Sequence, residues 1–161
     1  MSEQWRTITH FEDYLISSYG RIINNKRKSP VRQSFTKQGD MKVGLTKDGV
    51  QHTRSVRLLV AEEYVDGKTF IFDTPINLDG DPTNNRSDNI AWRPRWFAWK
   101  YKRQFKYIDD IENFSILEDN FGNKYFDVID AATKNGLLFE HVIKSIKQGI
   151  PIFPSGHIFY K

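Results

Sequence analysis

The stretch Pro75-Ile-Asn-Leu-Asp-Gly-Asp-Pro-Thr-Asn-Asn-Arg-Ser-Asp-Asn-Ile-Ala-Trp92 decides the fold of this chain. Residues 71–76 have the composition of a strand, Asp79-Gly-Asp-Pro82 marks a turn, and Ile90-Ala-Trp92 makes a second short strand. Two short strands around a Gly, Asp and Pro cluster predict a β-hairpin. Pro94 then fits the start of a helix over residues 95–107. The stretch therefore predicts two strands followed by a helix.

The same residues resemble the active-site hairpin of the HNH endonucleases. In that family the hairpin reads roughly Val-X-His-X-Asp-Gly-Asn, then Asn-Asn, then Asn-Leu-X-Trp. The match runs through Asp79, Gly80, Asp81, Asn84, Asn85, Asn89 and Trp92. Asn77 stands where the family has its catalytic histidine. The resemblance implies a ββα-metal unit without its general base.

Two segments before the hairpin extend this resemblance. The N-terminal residues follow the pattern Trp…Tyr-X-Ile-Ser-X-X-Gly-Arg-Ile, which here begins at Trp5 and ends at Ile22. That pattern is the signature of a small module that precedes the nuclease in many phage HNH homing endonucleases. Residues 56–64 are similar to Val-His-Arg-Leu-Val-Ala-Glu-Ala-Phe, which members of the family often show at this point.

The region between these two segments is predicted to be a β-ribbon that leads into a helix. Gly39-Asp40 and Lys47-Asp48-Gly49 are turn signals within residues 31–55, so three short strands are expected there. Val56, Leu59 and Val60 fall on one helical face, which predicts a helix over residues 56–64.

The C-terminal third predicts a strand-turn-strand piece around residues 120–123 and then two short helices. The helices cover residues 126–136 and 138–148, and Gly136 and Gly149 are in position to cap their C-terminal ends. This order, followed by a predicted strand pair after residue 150, resembles the small helix-turn-helix repeat found C-terminal to phage homing nucleases.

Together these segments predict an α+β fold in three parts. They are a small N-terminal β module over residues 1–30, an HNH-like ββα-metal domain over residues 31–107 and a helix-turn-helix-like module over residues 108–161. A chain of 161 residues has the length for one domain with a small appended module.

The composition excludes several classes of function. The chain contains no cysteine, so disulfides, thiolate catalysis and cysteine-ligated zinc are excluded. It also lacks a phosphate-binding glycine loop and a Gly-X-Ser-X-Gly elbow, so nucleotide hydrolysis and serine esterase chemistry have no support. No apolar run approaches the roughly 18 residues of a membrane helix, and the N-terminus does not read as a signal sequence. We therefore expect a cytoplasmic protein that does not associate with membranes.

Positive charge is concentrated in the first two-thirds of the chain. Residues 1–107 carry 19 Lys and Arg against 12 Asp and Glu, whereas residues 108–161 carry 5 against 8. This asymmetry favours a basic part that faces nucleic acid, although solubility alone could also produce it.

The resemblance assigns roles to three asparagines of the hairpin. In an HNH site a histidine takes a proton from the attacking water, while one divalent cation polarises the scissile phosphate. By motif position Asn77 replaces that histidine, Asn85 positions the loop, and Asn89 is the candidate metal ligand. An amide does not accept a proton at any useful pH, so Asn77 cannot be the base. Loss of general-base catalysis costs roughly 10²–10⁴ in rate.

Binding of Mg²⁺ or Mn²⁺ stays open from the sequence. Many relatives carry an aspartate ligand just before the histidine, where this chain has Ile76. Asp79 and Asp81 offer carboxylates in the same turn, and Asp79 is a candidate metal ligand and substitute catalytic group. The competing interpretation is that Asp-Gly-Asp forms a tight turn in which the carboxylates cap backbone amides.

Two basic segments are candidates for DNA backbone contact. One lies in the N-terminal third, and the other alternates cations with large rings after Trp92, a composition typical of phosphate contact with stacking. Trp96, Trp99 and Arg103 would share one face of the predicted helix. The candidate DNA-binding residues are Arg21, Lys26, Arg27, Lys28, Arg32, Arg93, Arg95, Lys100, Lys102 and Arg103.

Three functional interpretations follow. In the first, the chain binds double-stranded DNA on an HNH scaffold, and cleavage is absent or impaired because of Asn77. In the second, it nicks DNA with a divalent metal and recruits Asp79 or Asp81, or Asn77 is a replacement made in an active nuclease. In the third, a degenerate nuclease binds a host or phage protein as a regulator or inhibitor.

Overall fold

The structure is a computed structural model that describes all 161 residues. The chain separates into two compact units. Unit 1 contains Met1–Asn77 and Asp81–Arg95, and unit 2 contains Leu78–Gly80 and Trp96–Lys161. Both helices and strands are present, and the predicted α+β class is confirmed. No helix of the chain has both the length and the apolarity needed to cross a membrane.

Unit 1 begins with an antiparallel sheet of four strands in the order β1-β2-β3-β4. The strands are β1 (Trp5–Ile8), β2 (Phe11–Ser17), β3 (Ile22–Asn24) and β4 (Ser29–Pro30). In β2 the residues Phe11, Tyr14 and Ile16 are buried, and they belong to the apolar core of the unit. Gly20, with φ of 85°, lies in the turn between β2 and β3.

A second antiparallel sheet follows directly. It contains β5 (Gln33–Phe35), β6 (Met41–Lys47) and β7 (Val50–Ser55), as the turn signals at Gly39 and Gly49 predict. Both glycines have positive φ, a conformation that residues with a Cβ adopt at a cost. Val43 and Leu45 of β6 point into the same core as the first sheet.

Helix α1 (Val56–Tyr64) begins where the sequence predicts and buries the predicted face. The Ser55 side chain accepts a hydrogen bond from the Leu58 N–H, which caps the helix N-terminus. After the helix, the indole N–H of Trp92 donates to the Val65 carbonyl at 2.9 Å. This bond attaches the second strand of the predicted hairpin to the end of α1.

The predicted hairpin is present, but its first strand is shorter than expected. It contains β8 (Thr74–Asn77) and β9 (Ile90–Arg93) in antiparallel register. The prediction of a strand from residue 71 was wrong. The Thr69 hydroxyl accepts hydrogen bonds from the N–H groups of Ile71 and Phe72, so these donors are unavailable to a strand ladder.

Unit 2 starts with helix α2 (Arg95–Gln104), of which Trp96 onward belongs to the unit. The prediction of a helix to residue 107 was too long, because the chain tightens into a 3-10 segment from Phe105 and Tyr107 leaves helical geometry. Three strands then form a sheet in the order β11-β10-β12. They are β10 (Leu117–Asp119), β11 (Lys124–Tyr125) and β12 (Phe159–Tyr160).

The two predicted C-terminal helices are α3 (Val128–Asn135) and α4 (Phe139–Gln148). Gly136 and Gly149 adopt left-handed geometry with φ of 61° and 63°, as predicted for C-terminal caps. Val128, Leu137 and Val142 are fully buried in the core that these helices share with the sheet.

A buried carboxylate organises the turn of this sheet. Asp119 accepts hydrogen bonds from the backbone N–H groups of Phe121 and Asn123, each at 2.9 Å, and from the Tyr125 hydroxyl at 2.8 Å. Burial raises the pKa of Asp119, but these bonds and those of the Asn123 amide outweigh it and hold the pKa below its usual range. The charged carboxylate is therefore favoured in the folded state.

We expect Asp119→Asn to destabilise the protein and to reduce its acid sensitivity. A lowered folded pKa means that Asp119 contributes stability above its unfolded pKa of about 3.9, and that this contribution is lost as the pH falls through the folded value. Urea unfolding at pH 7 and pH 3 measures both effects. Glu118→Gln, on an exposed neighbour, is the control. If the free energy of unfolding changes equally with pH in the unmodified chain, Asp119→Asn and Glu118→Gln, the role of Asp119 is contradicted.

Candidate functional site

The candidate site is the loop that joins β8 to β9. Asn77 is the last residue of β8 and pairs with Ile90, the first residue of β9. Between them the chain makes a turn at Gly80 and a short 3-10 segment at Ser87–Asn89. Asn77 and Asn85 are only 5% and 4% exposed, although both side chains are polar. Buried amides of this kind require hydrogen-bond partners.

The asparagines of the motif supply these partners to one another. The Asn77 amide nitrogen donates to the Asn84 carbonyl at 2.8 Å and to the Asn85 side-chain oxygen at 3.0 Å. The Asn89 amide nitrogen donates to the same Asn84 carbonyl at 2.9 Å. The Asn85 amide nitrogen donates to the Pro82 carbonyl at 3.3 Å. The structure thus brings together Asn77, Asn85 and Asn89, the three asparagines that the sequence selected.

Arg57 completes the hydrogen bonding of Asn77. One guanidinium nitrogen, Nη1, donates to the Asn77 side-chain oxygen at 2.7 Å and to the Asp40 carboxylate at 3.1 Å. Both amide hydrogens and the oxygen of Asn77 are therefore engaged. The side chain of Asn77, at the end of β8, is thus held between α1 and the loop.

Sequence reasoning missed Arg57 as a site residue. A signal was present, because Arg57 follows Val56 at the position where the family pattern Val-His-Arg-Leu has its histidine. Residues 57 and 77 are two of the positions at which the chain departs from the family pattern, and these two residues are in direct contact. Twenty residues separate them in sequence, so only the tertiary structure shows their pairing.

The turn between β2 and β3 of the N-terminal sheet contacts this loop. The Ser87 N–H donates to the Ser18 carbonyl at 2.8 Å. Gly20 lies so close to Asn85 that a Cβ on residue 20 would be 3.2 Å from the Asn85 Cβ and carbonyl oxygen. Its carbonyl accepts from the Gln33 amide at 2.7 Å. The Ser-X-X-Gly part of the N-terminal signature therefore packs against the asparagine loop.

The two aspartates of the turn differ from the buried asparagines because both are exposed. Asp81 accepts hydrogen bonds from the Thr83 hydroxyl at 2.7 Å and from the Thr83 N–H at 2.9 Å. These bonds hold the pKa of Asp81 below its usual range. This geometry is the turn-capping arrangement that the Asp-Gly-Asp sequence suggested.

The side chains at this site do not fit a divalent cation. Nowhere in the chain do three histidine, aspartate or glutamate side chains come close enough to bind one metal ion together. At the hairpin, the residue before Asn77 is the buried, apolar Ile76, and the Asn77 oxygen accepts from a cation, Arg57. A hard cation such as Mg²⁺ needs several oxygen ligands and is repelled by a guanidinium.

The predicted DNA-binding cations of the N-terminal third differ in whether an acidic side chain pairs with them. The Arg21 guanidinium pairs with both oxygens of Glu3, which lowers the pKa of Glu3, and Lys26 lies 2.9 Å from Asp13. Arg27 and Arg32 are exposed and make no hydrogen bond or ion pair through their side chains. Lys28 is also exposed and donates to the neutral Asn25 amide at 2.6 Å. Arg27, Lys28 and Arg32 therefore offer charge that no acid of the chain balances.

The second basic segment also carries exposed aromatic rings. Within unit 2, the Arg103 guanidinium lies 4.2 Å from the centre of the Trp99 ring, as their shared helical face predicted. Trp99 is 61% exposed, and Trp96 of the same helix is also exposed. Lys100 lies 3.5 Å from Glu140, whereas Arg93 and Lys102 have further partners. Phe97, Ala98 and Tyr101 form the buried face of the helix.

Comparison with known proteins identifies a motif model that matches the N-terminal part of the chain and two proteins of similar sequence. The model of the NUMOD4 motif matches residues 3–58. An uncharacterized HNH endonuclease of Acanthamoeba polyphaga mimivirus is 32% identical over 92 residues, which are 57% of this chain and 27% of that protein. The DNA endonuclease I-HmuI of Bacillus phage SP01 is 29% identical over 92 residues, which are 55% of this chain and 51% of that protein.

A solved structure shows the same fold. It comes from a study of DNA binding and cleavage by the HNH homing endonuclease I-HmuI, and it matches with a TM-score of 0.57 at 23% identity. The match covers 98% of this chain and 97% of the solved chain. The two sequence relatives are longer, since the matched regions span about a quarter and about half of their lengths.

We expect Asn77→Ala to destabilise unit 1 more than a typical asparagine replacement. The change removes one of the two acceptors of Arg57 Nη1 and leaves the buried Asn85 oxygen without its donor, and an unsatisfied buried group costs about 1–3 kcal/mol. Urea unfolding monitored by circular dichroism measures the free energy of unfolding. Asn25→Ala is the control, because the Asn25 side chain only accepts from an exposed lysine, Lys28. If both variants lose the same stability, the proposed network does not support the fold.

Proposed function

We propose that this chain, which is similar to HNH endonucleases in sequence and to a phage HNH homing endonuclease in fold, binds double-stranded DNA without cutting it efficiently. The observation that carries the proposal is the state of Asn77. Its amide stands at the position of the family's general base and is fully occupied by Arg57, Asn84 and Asn85. The hairpin keeps its shape while the group that would activate water is replaced.

The chemistry of an amide supports the loss of cleavage. A general base must offer a lone pair to a water proton and then hold that proton near neutral pH. The Asn77 oxygen has no such basicity, and it accepts from a guanidinium in the ground state. Removing a general base alone lowers the rate by roughly 10²–10⁴. The poor donor set for a divalent metal lowers the expected activity further.

The charge of unit 1 supports DNA binding. Exposed arginines without acidic partners, such as Arg27, Arg32 and Arg95, can neutralise backbone phosphates. Contacts of this type fix a protein on the duplex and carry little sequence information. We also propose that residues 1–30, 31–107 and 108–161 act as three modules, with any base readout in the ribbon over residues 31–55 or in the C-terminal helix pair.

We expect salt-sensitive DNA binding that depends on unpaired arginines. In a plot of the logarithm of the binding constant against the logarithm of salt concentration, each phosphate contact makes the slope more negative by about 0.9. The double variant Arg27→Gln/Arg32→Gln should weaken binding and reduce the slope by up to about 2. Fluorescence anisotropy with duplex DNA between 50 and 200 mM salt measures this.

The double variant Arg21→Gln/Lys26→Gln is the matched control, because it removes the same charge from residues that already pair with Glu3 and Asp13. We expect a smaller change in slope for this control. Weak binding by the unmodified chain that does not vary with salt would reject the DNA proposal and favour a protein partner.

We expect Asn77→His alone not to restore nicking of plasmid DNA in Mg²⁺ or Mn²⁺. One imidazole nitrogen would accept from Arg57 and the other would donate to the loop acceptors, so no lone pair would face water. Gel assays of relaxed and supercoiled plasmid measure nicking. Cutting by this variant would show that the scaffold lacks only its base. Metal-dependent cutting by the unmodified chain that disappears in Asp79→Ala would favour the nicking interpretation instead.

A further inference from the structure

One edge of the Arg57 guanidinium makes no hydrogen bond within the chain. The hydrogen bonds of Arg57 to Asp40 and Asn77 both leave from Nη1. The adjacent Nε is buried, and it is the one buried side-chain nitrogen or oxygen of the chain that has no hydrogen-bond partner. The Nε–H and one Nη2–H point in the same direction and form the edge of a guanidinium that binds two oxygens at once.

Other arginines of the same unit show what this edge binds. Arg21 donates from Nε and Nη2 to the two oxygens of Glu3, and Arg86 donates from the same two atoms to Asp88. Both ligands are anionic groups with paired oxygens. The corresponding edge of Arg57 donates no hydrogen bond to a carboxylate of this chain.

Arg57 also lines a surface cleft of about 410 Å³ in unit 1. A second cation, Arg95, lines the same cleft, is exposed, and makes no hydrogen bond or ion pair. The hydroxyl residues Ser55 and Thr74 are also part of the lining, and Asp73 is the one acid, which accepts from the Thr74 hydroxyl at 2.9 Å. The cleft therefore has two arginines against one exposed carboxylate.

We propose that this cleft binds a phosphodiester of the DNA backbone between Arg57 and Arg95. The inference rests on the proposed DNA binding and adds the place where one phosphate is held. A phosphodiester has two free oxygens and a single negative charge, which match the Nε and Nη2 edge of Arg57. Asp40 and Asn77 are positioning residues, because their bonds to Nη1 fix the plane of the guanidinium.

A consequence is that the phosphate is held by a protein cation. The guanidinium is always charged, so the contact needs no divalent metal. DNA affinity at matched ionic strength should therefore be the same in Mg²⁺ and in EDTA. The replacement at residue 77 then has a positive role, since the Asn77 oxygen holds Arg57 next to the cleft.

The test compares single arginine variants by DNA anisotropy at several salt concentrations, in EDTA and in Mg²⁺. We expect Arg57→Gln and Arg95→Gln each to weaken binding roughly 5- to 30-fold at low salt and to reduce the salt slope by about 1. Arg57→Lys should retain the charge but lose the two-oxygen contact, with an intermediate affinity. Arg6→Gln is the matched control, because Arg6 lies in the same unit over the Tyr64 ring and does not line this cleft.

Arg95→Gln keeps the proposal testable if Arg57→Gln unfolds, because Arg95 is exposed and supports no other residue. If Arg95→Gln, or a folded Arg57→Gln, binds DNA as Arg6→Gln does, the phosphate site is wrong while the DNA proposal stands. If the unmodified chain does not bind DNA, both fail. A thermal shift with inorganic phosphate against chloride at equal ionic strength completes the test. Suppose that phosphate stabilises the unmodified chain but not Arg57→Gln, while Arg57→Gln binds DNA as tightly as the unmodified chain. That result would assign the cleft to free phosphate and overturn the proposal.

Discussion

The hydrogen bond from Arg57 to Asn77 is the interaction on which the site depends. It joins the first turn of α1 to the last residue of β8, and it directs one arginine nitrogen to an amide oxygen and to Asp40. The Asn77 nitrogen then extends the network to Asn84 and Asn85. A chain of buried polar groups is stable only when its members are satisfied, so a change at either end affects the loop as a whole.

The small N-terminal sheet is part of this arrangement. Ser18 accepts from the loop N–H of Ser87, and Gly20 packs against Asn85 where a Cβ would be too close. Because the matched NUMOD4 motif includes residues 3–58, it contains both the sheet and Arg57. The motif and the hairpin therefore meet at the asparagine network. The sheet supports the loop that the hairpin presents.

The departures from the family pattern are consistent with each other. Arginine at residue 57 and asparagine at residue 77 form a donor and acceptor pair, while the apolar Ile76 occupies the place of a metal ligand. A neutral amide and a fixed positive charge stand where the family pattern has its histidines. Such a centre favours attraction of phosphate over activation of water, which is the physical basis for proposing binding without efficient cleavage.

Local patterns in the sequence determined the helix at Val56–Tyr64, the glycine caps at Gly136 and Gly149 and the hairpin around Gly80, because periodicity and turn chemistry involve neighbouring residues. The asparagine motif also identified Asn77, Asn85 and Asn89 as one site. The sequence alone did not reveal Arg57 as their partner, the Gly20 contact or the cleft with Arg95. A hydrogen bond between residues twenty apart, or a cleft lined by two helices and two strands, arises only when packing brings distant segments together, and that was decided by the tertiary structure.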